Sequence, residues 1–406
     1  MKQIFTNARL ILPDEKQPKE GSLIIDGDRI ASADDVSNDE PRKEIDCKGR
    51  ILAPGIVDLG IFAIDKPAFR FGGITRAALM PDQSPVLDLP AMIKHNAVEG
   101  KPDLWSHPIA AATKGLSGTQ LAEIGLMKRS GAKAVATGRQ WIADSGIMLK
   151  LLQYCKSLDL PLIVHSEDAG LTAGAVATNG ETATRLGLAS ATAAAEAVSI
   201  ARDIALVRET GAQIHFRQVT TADGLTLIRA AKSEKLPVTC GITPAHLLLS
   251  DIAISDFRTF ARLSPPLRSE ENRLACVEAV KDGTIDVISS GHDPRGPEDK
   301  RLPYAESAPG MAGAETLLAL SLTLVRDDIV SFGRLFELLS ANPAKILGVE
   351  AGLLRPGYEA DFILIDEDSP WQVDTRKMAA AAGNTPFDGL PVQGRVTAIY
   401  KGGRAY

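Results

Sequence analysis

The chain has 406 residues and a formal net charge of −6 at pH 7, with an isoelectric point near 5.7. Hydrophobic residues make up 45% and charged residues 24%, with no block of single-sign charge, which excludes collagen, coiled coil and disordered tail and makes nucleic acid and anionic membrane poor partners. The length calls for one large α/β barrel or two domains.

The opening stretch, MKQIFTNARLILPDEK, has no apolar core behind a basic flank, and no later stretch is apolar for long enough to span a bilayer, so a cytoplasmic protein is expected. Residues 22–30 alternate in the strand period, with Asp26-Gly27 supplying a tight hairpin turn. They predict a small antiparallel sheet. The far end matches: Asp361–Ile365 reads as one strand, and Gly394–Tyr400 runs through Lys401-Gly402-Gly403 into a closing hairpin. The two ends together predict a small β-sandwich domain from residues 1–53 plus 349–406.

Between them, over residues 54–348, short apolar runs alternate with helical ones. Examples are Pro161–His165, a helix over 193–210, Gln213–Phe216, a helix over 222–232, and Pro237–Cys240. Strand–helix alternation over nearly three hundred residues, without G-x-G-x-x-G after a first strand, predicts a (β/α)8 barrel of the TIM type. Chemistry then belongs at the C-terminal strand ends. The four cysteines (Cys47, Cys155, Cys240, Cys276) are far apart in sequence with no C-x-x-C pair, and read as small buried hydrophobes.

The strand ends carry tags in a fixed order: Val57-Asp58-Leu59-Gly60-Ile61-Phe62, Leu79-Met80-Pro81-Asp82, Ile163-Val164-His165-Ser166-Glu167-Asp168, Ile214-His215-Phe216-Arg217-Gln218-Val219-Thr220, Ile242-Thr243-Pro244-Ala245-His246, Leu263-Ser264-Pro265-Pro266-Leu267-Arg268 and Val287-Ile288-Ser289-Ser290-Gly291-His292. With Leu52-Ala53-Pro54-Gly55, Ala341–Gly348 and Asn384–Gly389, this order resembles the dihydroorotases of the amidohydrolase superfamily, closest to the class that associates with aspartate transcarbamoylase. The resemblance covers essentially the whole chain. It implies pyrimidine biosynthesis, with a metal-bound hydroxide that opens or closes the dihydroorotate ring and an aspartate as general acid/base.

The positions that the resemblance assigns to this chemistry hold other residues. The first-strand His-x-His pair and the following arginine fall on Gly60, Phe62 and Ile64, none of which offers a donor atom. The fourth-strand ligand falls within Ala134–Gly138, and Lys133 points to the other face of the strand. His165 matches the fifth-strand ligand, Gln218 replaces the sixth-strand one, and His215 aligns with a non-ligating histidine. The aspartate that would shuttle the proton aligns with Gly291; Asp293 lies two residues on, roughly 6 Å along an extended chain. At the family's substrate contacts stand Asp82, Ser264 and Arg295.

These substitutions predict a dihydroorotase homologue with no catalytic residues and no zinc, keeping His165 as a relict. Its retained fold would serve as a structural partner of aspartate transcarbamoylase or as a homo-oligomer. The rival expectation is a hydrolase of another cyclic amide or imide with a displaced site such as Asp82, His165 and His292. A genuine dihydroorotase would need ligands elsewhere, and the chain has six histidines and no His-x-His pair. Bland readings accompany the rest: His246 and His292 as packed histidines, Glu167-Asp168 as helix caps, Asp82, Asp293 and Arg295 as an ion pair closing an unused pocket, and Lys281–Gly283 and Arg268–Glu271 as solvated surface. Ten residues, Ile64 to Gly73, join the first two barrel strands, too few for an ordinary crossover, so the first helix is expected to be missing or reduced to a turn, leaving part of the wall uncovered.

Overall fold

The computed structural model describes residues 2–12, 15–32 and 42–406. The terminal segments form one hydrogen-bonded sheet of eight strands in the order Arg404–Ala405, Pro391–Lys401, Phe362–Gln372, Ile51–Pro54, Lys2–Leu10, Lys19–Asp26 and Arg29–Ile30, with Arg42–Asp46 also bonded to Lys2–Leu10. The expected Asp26-Gly27 hairpin forms, Gly27 at φ +59° closing Asp26 onto Arg29. The amino-terminal part is mixed rather than antiparallel, because Lys2–Leu10 pairs in parallel with both Arg42–Asp46 and Ile51–Pro54.

Side-chain alternation gives this sheet two apolar faces. Phe362, Leu364 and Leu52 join Phe5 and Ile25 in the domain's own core, where Phe362 stacks on Tyr400 at 4.7 Å. Their neighbours Ile363, Ile365, Ile51 and Ala53 face the other way, into the large barrel core.

Eight parallel strands build the barrel: β1 (Ile56–Ile61), β2 (Ile74–Leu79), β3 (Trp105–Pro108, continued by Ala110–Ala111), β4 (Val135–Ala136), β5 (Leu162–Val164), β6 (Ile214–Phe216), β7 (Val238–Ile242) and β8 (Val287–Ile288). Each pairs with its sequence neighbour. The ring closes from β8 to β1 where Phe62 N–H donates to the His292 carbonyl at 2.8 Å. Leu263–Arg268, taken from sequence as a strand end, belongs instead to the long β7–β8 connection and forms no strand. Its two prolines deprive the segment of ladder donors. All four cysteines are buried.

The first crossover is a seven-residue helix, α1 (Lys66–Gly72). Asp65 caps it by accepting from Ala68 N–H, and Gly73 at φ +78° ends it. The wall beside it is not bare: the strand Pro391–Lys401 lies against α1, and Gly73 approaches the side chains of Ile363 and Val396 so closely that a Cβ there would stand 3.0 Å from each. The terminal sheet therefore covers the stretch that a full helix would have covered. Among the described residues no helix is long and apolar enough to cross a membrane.

Candidate functional site at the barrel mouth

Gly60 is the penultimate residue of β1 with φ +135°, and Gly291 follows β8 with φ +59°. Both angles lie where residues with a Cβ are strained. A Cβ on Gly60 would touch Arg217 Cδ and Met80 Cε, each at 3.6 Å, and one on Gly291 would press to 3.1 Å from Thr243 Cγ2. The backbone at these two positions is thus shaped to glycine, and neighbouring side chains already surround the space beside it.

Phe62 lines the mouth. The Arg139 guanidinium carbon sits 3.6 Å from its ring centroid and that of Arg217 4.9 Å from it, so the ring contacts two cations. Arg139 comes from the loop after β4; its Nη2 donates to Asp293 Oδ2 at 2.7 Å and its backbone N–H donates to Asp82 Oδ1 at 2.9 Å. Arg295 pairs with the same Asp293 at 3.2 Å. The pocket left between Phe62, Arg139, Gln218, Ser264, Gly291 and Asp293 has about 20 Å³ of free volume, room for about one water molecule. The expected ion pair of Asp293 and Arg295 is present, with Arg139 joining it and Asp82 held by the Arg139 backbone.

The histidines do not converge. His165 Nε2 lies 3.3 Å from Glu167 Oε2, inside a buried cluster. His292 Nδ1 accepts from Ala314 N–H at 3.3 Å, which leaves the proton on Nε2, 3.4 Å from Asp65 at the start of α1. His246 is held between the Thr243 hydroxyl at 2.8 Å and the Pro265 carbonyl at 3.1 Å. His215 Nδ1 meets the Thr239 hydroxyl at 2.9 Å, and burial, with Lys232 and Arg217 nearby, lowers its pKa to about 3. Asp82, His165 and His292, the displaced constellation expected of a rival hydrolase, therefore sit in three separate pairings.

Two bland readings are corrected here. Asp168 does cap a helix, accepting from Gly170 and Leu171 N–H, but Glu167 is buried and accepts from Arg268 Nη2 at 2.7 Å. Arg268, assigned above to solvated surface, is only 3% exposed. Its Nε donates to the Thr220 hydroxyl at 2.9 Å, beside Glu196, whose carboxylate accepts from the backbone N–H groups and hydroxyls of Thr220 and Thr221. Burial opposes charge on Glu167, but the His165 hydrogen bond and the Arg268 cation outweigh it and hold the carboxyl at about 2. Sequence reasoning also missed Arg139 and Arg217, since an arginine in a loop reads as surface unless its aromatic and acidic neighbours are known.

The zinc implied by the resemblance requires several imidazole, thiolate or carboxylate donors on one centre. At the aligned positions Gly60, Phe62 and Gly291 supply none and Gln218 supplies an amide; among the described residues no three of His, Cys, Asp and Glu form a metal-holding group. The residues present do not fit the ion.

Residues 106–406 match the amidohydrolase family model. The chain is 34% identical to a dihydroorotase of Syntrophus aciditrophicus, covering 100% of this chain and 99% of that one, and 36% identical to a dihydroorotase of Pelotomaculum thermopropionicum, covering 100% and 98%. Among solved structures it superposes on an L-hydantoinase of Arthrobacter aurescens with TM-score 0.86 at 24% identity, covering 99% of this chain and 95% of that one. A dihydropyrimidinase of Brevibacillus agri gives TM-score 0.84 at 21% identity, with 100% and 95% covered. These superpositions agree with the barrel and its terminal sheet. The chain belongs to the amidohydrolase family, as a dihydroorotase-like member.

Proposed function

We propose that this protein is a non-catalytic dihydroorotase homologue of pyrimidine biosynthesis that holds no zinc and acts as a structural partner of aspartate transcarbamoylase. The observation that carries the first half is Phe62, fixed between Arg139 and Arg217 at the barrel mouth where a substrate ring would need space. A pocket of about 20 Å³ admits neither a dihydroorotate ring nor an attacking water placed beside one. Gly291 supplies no carboxylate for proton transfer, and the nearby Asp293 is committed to Arg139 and Arg295. A fold kept in full around a filled site leaves its outer surface as the useful part. The partner itself is taken from the kind of dihydroorotase that the strand-end tags resemble.

The test is elemental analysis of protein purified without chelator or affinity tag, beside a dihydroorotate assay with added zinc. Less than about a tenth of an equivalent of metal and no turnover are expected. Robust zinc-dependent turnover overturns the reading. Co-expression with aspartate transcarbamoylase of the same cell is expected to give one co-eluting complex, and separate elution removes the partner assignment.

A further inference from the structure

The terminal sheet ends on an open strand edge. Pro391–Lys401 pairs along one side with Phe362–Gln372, but on its other side Arg404–Ala405 meets it only at Tyr400 and Lys401. Tyr406 N–H extends that contact to the Ile399 carbonyl at 3.0 Å, and beyond it no strand among the described residues pairs with Arg395–Ala398. Natural sheets normally blunt or cover such an edge, because its row of free backbone groups is a template for another chain. Here a groove of about 580 Å³ lies between α1 and residues 396–399, lined also by Arg70, Phe71 and Tyr406. Two arginines stand beside it without an acidic partner among the described residues. The Arg70 guanidinium carbon is 5.6 Å from the centre of the Tyr406 ring, and that of Arg395 is 5.6 Å from the centre of the Trp371 ring, which Phe71 meets edge-on at 5.3 Å. Nearby acids are already matched: Asp103, which lines the groove, pairs with Lys66 at 3.5 Å, and Asp366, opposite Arg395 in the ladder, pairs with Arg50 at 3.9 Å.

We propose that this edge is a docking site for an extended acidic segment of another protein, which adds a strand beside Arg395–Ala398 and brings carboxylates to Arg395 and Arg70. Main-chain hydrogen bonds to a free edge supply affinity whatever the sequence, and the two guanidiniums select for acid. Stacking on Trp371 and Tyr406 already restrains both side chains, so less freedom is lost when a carboxylate arrives. Arg395 lies four positions from Ile399, the residue that Tyr406 meets, a span of at most about 13 Å with the bulge at Thr397. The segment therefore carries its acids about four residues apart. A second copy of this chain fits the edge less well, since pairing the strand with itself about a two-fold axis brings two cationic edges together. The site owes nothing to the chemistry of the mouth and stands whichever protein carries the segment.

The test is fluorescence anisotropy with the full-length protein and a labelled peptide, acetyl-Glu-Val-Thr-Val-Glu. Saturable binding below about 1 mM is expected. The peptide with lysine in place of both glutamates is expected to bind at least about tenfold more weakly. Of the two forms methylated on alternate backbone nitrogens, one is expected to lose binding and the other to keep it, because only one set of N–H groups faces the edge. Arg395→Glu is expected to weaken the glutamate peptide at least about tenfold, and Arg395→Gln by less. Both arginines are exposed, and if Arg395→Glu does not fold, Arg395→Gln and Arg70→Gln carry the same comparison. No saturation, equal affinity for the lysine peptide, indifference to both methylated forms, or unchanged affinity in the arginine variants overturns the proposal. Sedimentation of the wild type and Arg395→Glu completes the test: a wild-type dimer that Arg395→Glu disperses assigns the edge to a second copy and overturns the proposal too.

Discussion

Glu167 Oε1 accepts a hydrogen bond from Arg268 Nη2 at 2.7 Å, tying the end of β5 to the β7–β8 connection. Both side chains are almost wholly enclosed, so removing Arg268 leaves the buried Glu167 carboxylate with only His165, 3.3 Å away, facing it. Arg268→Met is expected to destabilise the fold by about 3–5 kcal/mol, read as a shift in urea midpoint. The double variant Arg268→Met with Glu167→Gln should recover part of that loss, since no bare carboxylate remains.

Acid should act on the same pair. The folded Glu167 carboxyl titrates at about 2, below its ordinary 4.5, so the unfolded chain binds its proton first as pH falls. Its contribution, about 3 kcal/mol in full, is present above pH 4.5 and disappears as pH falls towards 2. Glu167→Gln should flatten the stability–pH curve within that window. An unchanged slope would mean that the carboxylate is not held down in the fold.

A second acid-sensitive window lies higher. Burial lowers His107 and His215 to about 3 and His246 to about 4, with neighbouring cations adding to the shift on the first two. All three are neutral in the fold, while unfolded histidines take up protons near pH 6.5. Unfolding around pH 5 should therefore bind about three protons through these residues, and stability should rise with pH from about 4 to 6.5. Asp203, raised to about 6 by burial, offsets about one of these protons over the same range, so the net uptake read from the pH dependence of the urea midpoint is expected to be about two.

The mouth itself offers a milder test. Arg139→Ala removes a cation from the Phe62 ring and a hydrogen-bonded partner from Asp293, in a side chain that is partly exposed. The expected cost is about 1–3 kcal/mol, below that of a fully enclosed pair. The variant should still show no dihydroorotate turnover, because opening the mouth restores neither a ligand nor a proton carrier.

Sequence alone revealed the barrel because its information is local and periodic: Pro161–His165 and Gln213–Phe216 read as strands and become β5 and β6, and the helix expected over 193–210 runs Ala194–Thr210 up to Gly211 at φ +64°. The composite terminal sheet was legible for the same reason. The identity of the residue at each strand end needed only the tags. Which side chains pack at the mouth was not legible, because that depends on contacts between residues far apart in the chain. Arg139 and Asp293 are 154 positions apart, and Arg268 reaches Glu167 across 101. His292 misled in another way: its tag places it at the mouth, while its ring turns outward to Asp65 and lies 5.4 Å from Phe69 of α1. Backbone position is written in a motif; rotamer is not.

Arg76, in the middle of β2, donates to Asp361 Oδ2 at 2.9 Å and also pairs with Glu359, while Lys401 donates to Asp361 Oδ1 at 2.9 Å and Glu359 Oε2 at 3.1 Å. The barrel contributes a single cation to this knot, and the carboxy-terminal segment contributes both acids and the second cation. A fragment ending near residue 348 would strand Arg76 inside the wall with neither carboxylate, and would strip the cover from α1 at the same time. With those contacts shared between the two parts, calorimetry should record one unfolding transition rather than two.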